Sequence, residues 1–421
     1  MVLSAADGVR ALPTDGESSA VGAVLSVDGL PAVGPDGVPL SESALRLRKD
    51  LIVHLRRQGF QFRDGGLEAP PVEDKEHLRA LHGESVRSQL DRARPALERH
   101  EGSFLERLAD GDEVDPSRIR PRLIELHSPR DHNGLLWRWS TLHWSIPVSA
   151  GYGRRVRFLV VDEGHNDRLM GLIGLADPVF AMRARDAAIG WSGQQQRAGL
   201  INMMDAFVLG AVPPYRELLA GKLMALLATS NEVREVFARK YSGSRGRISG
   251  EERSAQLAAV TTSSALGRSS VYSRLRRRDG SWALAPVGFS SGSGDFHFTG
   301  PIYDDLVALA SEGLGDGLTQ RKAGWGGTSF RNRREVVQRA LHAMGLDGRR
   351  LRFHGVQREL FLGLTASNSL EFLRGEEDAL EWRDDPVGAL SEWWRERWAV
   401  PRSERRTDWQ TFRREAWRLY R

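Results

Sequence analysis

The sequence predicts an α/β (α+β) protein: one mixed sheet with flanking helices, a helical region before it and a basic extension after it. Three observations carry this expectation. Short apolar runs at 156–161, 168–175, 207–212 and 257–261 have the length and β-branched content of buried strands. The turn Glu163-Gly164-His165-Asn166-Asp167 joins the first two as a hairpin. Between the third and fourth, Leu218, Leu219, Leu223, Leu226 and Leu227 give one apolar helix face, and Pro213 and Pro214 sit where such a helix would start.

Taken in order, residues 1–40 are rich in Gly, Ala, Ser, Pro and Asp without a helical stripe, and read as a disordered tail dispensable for folding. Residues 41–118 read as a helical region. Ser41 is a plausible N-cap for a helix carrying Leu45, Leu47, Leu51, Ile52 and Leu55, and Gly59 stops it. A second helix is expected over 74–82, extending toward 92, and a third over 94–108. Residues 119–312 hold the core: a strand at 122–126, a helix over 135–143, then the strands and helix above. Residues 313–421 form an Arg- and Trp-rich C-terminal region.

The composition excludes several classes. With no cysteine in 421 residues there is neither a disulfide framework nor a thiolate zinc site. No secretory signal and no apolar run long enough to span a membrane is visible, so a cytoplasmic protein is expected. The net charge is +5, and the positive charge is arginine-based and clustered. Arginine suits phosphate because its planar fork donates in pairs and stays charged. A genome biased toward Arg, Ala and Gly codons would give the same totals, so clustering is the better footprint.

Several segments carry a resemblance. Leu78-Arg79-Ala80-Leu81-His82 with Arg87 comes first, then Leu136-Trp137-Arg138 with His143. Arg185-Asp186 followed by Ile189-Gly190-Trp191 is the most specific piece. Asn202, the run at 207–212 and Gly294-Asp295-Phe296-His297-Phe298 complete it. Over roughly residues 41–310 the chain resembles the DruA family, a component of the Druantia anti-phage systems. That resemblance implies a defence protein, and a helicase among its possible partners. The chain departs from the family at Trp144-Ser145-Ile146, at Met203-Met204-Asp205 and at Val260-Thr261-Thr262.

The strand and helix order also resembles the acetyltransferase (GNAT-like) fold, in which a bulged strand feeds a helix whose N-terminal amides hold a cofactor pyrophosphate. Arg216 and Gly221 match that fold's cofactor loop, while Leu219 stands where it has a glycine. An ordinary amphipathic core helix explains the same residues.

Four residues are candidates for acid/base chemistry. Asp295 and His297 would share the polar face of an alternating strand whose other face is Phe296 and Phe298. Asp186 and His143 would join them in one cleft, although Arg185-Asp186 could equally serve structure. His127, His132 and Asp131 fit no recurring metal site. For nucleic acid, DNA first, Arg268, Ser269, Tyr272, Arg274, Arg276, Arg277 and Arg278 combine charge, hydroxyls and a ring. Arg333 and Arg334, with Arg321, Lys322, Arg331, Trp325 and Phe330, repeat the theme. At the C-terminus Trp393, Trp394, Trp398, Trp409 and Trp417 interleave with arginines; packing is expected for the rings and contact for the charges.

The leading expectation is a nucleic-acid-binding defence protein. The alternatives are a GNAT-like transferase acting on a nucleobase or small acceptor, and a metal-dependent nuclease or transposase-like protein built on converging carboxylates such as Asp162, Asp186 and Asp295. An open notch beside the 207–212 strand would favour the first alternative, and clustered carboxylates the second.

Overall fold

A computed structural model describes residues 31–34, 36–63, 66–70, 75–148, 153–241, 243, 256–312 and 330–420. Residues 1–30 of the expected tail lie outside these, as do Arg321, Lys322 and Trp325. Residues 31–34 and 36–40, grouped with the tail by composition, fold back onto the body. Val33 bridges Pro39, Leu40 packs on the first helices, and Arg48 donates to the Pro31 carbonyl at 2.9 Å.

Helix α1 (Glu42–Arg57) starts where Ser41 accepts a hydrogen bond from the Ala44 amide. Leu47, Leu51, Ile52 and Leu55 are buried along it, and Gly59 turns the chain out at φ 88°. A two-stranded hairpin, β1 (Gln61–Arg63) and β2 (Gly66–Glu68), follows. The two helices expected next are mainly one, α2 (Lys75–Leu97), and a short α3 (Glu101–Leu105). Leu78, Leu81, Ala93 and Leu97 keep α2 buried along its length.

The core is a seven-stranded sheet in the order β3-β4-β5-β6-β7-β9-β8. Its strands are β3 (Pro121–Glu125), β4 (Arg155–Asp162), β5 (Arg168–Ala176), β6 (Met203–Ala211), β7 (Ala259–Ser263), β8 (Ala285–Phe289) and β9 (Glu359–Leu364). All neighbours are antiparallel except β6 and β7. A parallel pair needs a crossover, and α7 (Ala220–Leu227) with α8 (Asn231–Tyr241) supplies it. Before them come α4 (His132–Thr141), capped by Asp131, and the short α5 (Arg183–Ile189) and α6 (Gly193–Gly199). The proline pair does not open α7: Pro213 and Pro214 lie in the preceding turn, and the helix begins after Leu219, which sits at φ 63°.

After the sheet's first six strands in the chain come α9 (Pro301–Glu312), α10 (Phe330–Ala343), α11 (Gly348–Arg352), α12 (Ser369–Arg374), α13 (Val387–Trp394) and α14 (Val400–Arg405). One sheet face packs on α7, α8 and α13, with Trp394 and Trp409 buried there. The other packs on α3, α4 and the end of α2, and the C-terminal Tyr420 joins it. A separate helical core joins α1 and the start of α2 to α9, α10 and α11.

Each of these three clusters draws residues from both sides of 118 and of 312. Strand β9, which lies beyond 312, pairs β7 on one side and β8 on the other. Without it both would be left with open edges. Phe361 on β9 is fully buried, so Phe361→Ala should cost about 3–5 kcal/mol in urea denaturation. A chain ended at residue 312 should show no cooperative unfolding transition at all.

Candidate nucleic-acid interface

The expected Asp295/His297 strand is a turn, and both of its successive rings, His297 and Phe298, are fully buried. Alternation fails because α1 and α11 enclose the segment from two sides. His297 Nε2 donates to the Leu351 carbonyl at 2.9 Å, while Gln58 donates to the His297 carbonyl at 3.0 Å. Asp295 faces the Arg352 guanidinium as a two-pronged ion pair. Phe296 sits among His82, His354 and Phe60, with ring centroids 4.2, 4.8 and 6.4 Å away. This is an aromatic cage, not an acid/base pair facing solvent. Burial first, then the Arg358 charge, lowers His82 to about 3 and His354 to about 4. Burial holds His297 well below the usual histidine range.

Asp186 and His143 do not join Asp295. Asp186 is the hub of α5 and α6: it accepts from the Met182 amide, Arg185 Nε, Gln196 Nε2 and Trp191 Nε1 at 2.8–3.3 Å. Arg185, fully buried, also donates to the Val179 and Phe180 carbonyls. His143 stacks flat on Trp417, 3.6 Å between centroids, with Trp139 edge-on, and burial lowers it to about 3. Asp162 is consumed by His165 and Tyr215, at 2.6 and 3.0 Å. The carboxylates offered for a nuclease thus stand in three different packing environments. Among the described residues, no three His, Asp or Glu are grouped to hold a metal. Sequence reasoning passed over Asp205, a polar residue within the apolar β6. Burial raises its carboxyl to about 6, against a Thr261 hydroxyl donating at 2.7 Å and the Arg185 charge.

The region beside β6 has the expected bulge. Gly174 pairs with Val208 and Leu175 with Ala206, so Phe207 is the extra residue. Pairing of β6 with β7 runs only to Ala206 and Thr262, and beyond it Tyr272 donates its hydroxyl to the Leu209 carbonyl at 3.3 Å. Gly221 faces Val271: a Cβ there would lie 3.4 Å from the valine methyl. Lys222 Nζ binds the Val271 carbonyl and Trp394 Nε1 the Leu219 carbonyl. Arg216 is exposed and pairs with Glu217 at 2.9 Å. The seat expected to hold a pyrophosphate at Arg216 and Gly221 is filled by the chain's own segment 269–272.

The arginine set divides sharply. Arg277 is buried, with its fork on Asp385, Thr229 and the Leu364 and Trp282 carbonyls. Arg333 lies over the Tyr303 ring and binds the Asp295 and Phe298 carbonyls. Arg278 pairs with Glu396 at 2.7 Å. Ser269 gives its amide to Glu359 and accepts from the Val271 and Tyr272 amides, so the loop's backbone is not a free phosphate cradle. Most of the C-terminal arginines are likewise spoken for: Arg406 by Asp408, Arg413 by Asp112, Arg414 by Asp110 and Glu113, Arg418 by Glu415. The tryptophans pack, as their spacing implies. What remains includes Arg268, Arg274, Arg276 and Arg334, joined by Arg397 and Arg405 near the C-terminus, all exposed and with no carboxylate partner among the described residues.

Rings accompany two of these, one exposed and one half-buried. Arg268 lies 5.9 Å from Phe289, which is 42% exposed, and Arg276 lies 3.9 Å over Trp282. Beside Arg268 opens a cleft of about 680 Å³, between the β1–β2 hairpin, the start of α2, loop 266–268 and segment 353–357. Phe353, 53% exposed, lines it.

A mixed α/β core carrying an exposed arginine–aromatic surface is the class of protein defined so far. Residues 72–375 match the family described as Druantia protein DruA. A protein of Escherichia coli (strain UMEA 4076-1) described as Druantia protein DruA is 35% identical over 371 residues, covering 87% of this chain and 90% of that one. The chain belongs to the DruA family, and membership implies a part in anti-phage defence. No solved structure matches it. No helix among the described residues is long and apolar enough to cross a membrane.

The buried histidines predict acid lability. His82, His143 and His354 are neutral when folded, whereas unfolded they take up a proton near pH 6.5. Below that value the unfolded chain binds more protons, so stability falls as pH falls, until the folded groups protonate near 4 and 3. Each histidine adds a slope approaching about 1.4 kcal/mol per pH unit. Urea denaturation between pH 7 and 4.5 should show this loss, and His143→Phe should make the slope shallower.

Proposed function

We propose that this protein is a nucleic-acid-binding module of anti-phage defence, with DNA as its ligand. The observation that carries this reading is the set Arg268, Arg274 and Arg276: exposed guanidinium groups on one segment, none neutralised by a carboxylate among the described residues, with Phe289 and Trp282 beside two of them. Guanidinium groups neutralise phosphate, and rings stack on bases of any sequence. Such a module acts in the cytoplasm, where it would hold DNA for a partner that moves or cuts it, a helicase being the expected kind.

A transferase is the second reading. The Phe207 bulge, the parallel β6–β7 pair and the raised Asp205 carboxyl support it. Tyr272 in the opening beside β6 and Val271 against Gly221 weigh against a cofactor seated there.

The test is the anisotropy of labelled DNA as salt rises. Affinity should fall with a log–log slope of several units, and Arg268→Ala, Arg274→Ala and Arg276→Ala should each reduce that slope by about one. Arg277→Ala should instead lower the melting temperature, because it strands buried carbonyls and Asp385. Binding that ignores salt, or no binding at low salt, overturns the reading.

A further inference from the structure

We infer that the cleft beside Arg268 receives an unstacked nucleobase, so that the preferred ligand is a single strand and not a duplex. This rests on the nucleic-acid reading above and adds to it a place and a form for the ligand.

The cleft has the size that small organic ligands use, and its chemistry is divided. Leu67, Leu78 and Val356 supply an apolar interior continuous with the helical core. At the mouth, Phe353 presents a ring that is 53% exposed, in a chain whose other aromatic side chains are mostly covered. A phenyl ring held open to water beside an apolar recess is costly for packing and suited to a planar partner.

Charge at the mouth fits the strand that would carry such a base. Lys75 and Arg268 both line the cleft and both are exposed. Glu68 lines it too, so the mouth is not uniformly basic. Behind the wall, however, stands Arg358. Its guanidinium donates to His82 Nε2 at 3.3 Å, and no carboxylate pairs with it among the described residues. It is largely enclosed, and its charge is felt by His354, which also lines the cleft. Those imidazoles stay neutral, so they neither add to nor cancel the field. Among the described residues the cations Lys75, Arg268 and Arg358 outnumber Glu68, and a positive, partly enclosed cleft attracts phosphate.

The loop is built to keep this arrangement. Gly267 takes φ 62°, its carbonyl accepts from the Glu359 amide, and the Glu359 carboxylate binds the Ser269 amide. Arg268 is thereby fixed between two anchored neighbours at the cleft's edge. A base inside a duplex must be unpaired, unstacked and extruded to reach such a recess; a base on a single strand reaches it freely.

The experiment uses the full chain and three probes: a labelled 15-nucleotide single strand, the same sequence as a duplex, and unlabelled deoxynucleoside monophosphates as competitors. The wild type should bind the single strand at least roughly tenfold more tightly than the duplex. Phe353→Ala should weaken single-strand binding by roughly tenfold while changing duplex binding less than about twofold. Phe353→Tyr should restore the preference, and both variants should melt with the wild type because the ring is half exposed. Equal binding of strand and duplex, or a Phe353→Ala loss that is the same for both, would overturn the cleft assignment and leave the nucleic-acid reading standing. Competition by free monophosphates at low micromolar concentration would overturn the strand assignment in favour of a free nucleotide. No binding of either DNA would take both readings down.

Discussion

Strand β9 is the constraint on which the rest of this structure depends. It runs between β7 and β8, and it is supplied by a part of the chain about a hundred residues after β7. Its pairing joins β8 to the rest of the sheet, and its residues anchor segments on either side. Toward its start, Glu359 binds loop 267–269 and holds Arg268 at the cleft. Toward its end, the Leu364 carbonyl accepts from Arg277, whose fork also reaches Asp385 before α13. The surface that presents free arginines and the helix that covers the core are thus set by the same strand.

Arginine has two separate tasks in this chain. Arg154, Arg185, Arg277 and Arg352 are buried, and each binds carbonyls, a carboxylate or both. A guanidinium can do this because its five donors are rigid and planar, so one side chain satisfies several loop carbonyls that no helix or sheet pairs. Removing one would strand those groups away from water. Arg268, Arg274 and Arg276 instead stay on the surface, with no carboxylate partner among the described residues.

The opening beside β6 shows how local filling redirects a fold. A bulge and the end of the β6–β7 pairing leave room next to the Leu209 carbonyl. Tyr272 takes that room with one hydrogen bond and a ring set edge-on to Phe361. The side chain is bulky and partly buried, and its segment also contacts the start of α7. The sheet is shaped by this occupant as much as by its own strands.

Much of the fold was legible in the sequence because its signals are local. The Ser41 cap, the apolar runs of β4, β5 and β6, and the turn at 163–167 depend on spacing within a few residues, and all formed close to where they were read. The packing of Trp394 was readable for the same reason. The continuous apolar run of Glu359–Leu364 could have been read as a strand, but nothing local says that its partners are β7 and β8. The candidate site was less legible. Asp295 and His297 have the spacing of a polar strand face, yet α1 and α11, far away in the chain, enclose them. Arg268 and Arg277 lie nine positions apart in one segment and are chemically identical. Only the tertiary structure sends one to water and the other to Asp385, because burial and pairing depend on carbonyls and carboxylates brought in from distant segments. The sequence by itself determined the helices and strands whose signals are local, and how many cations there are. The tertiary structure decided which of those cations are free.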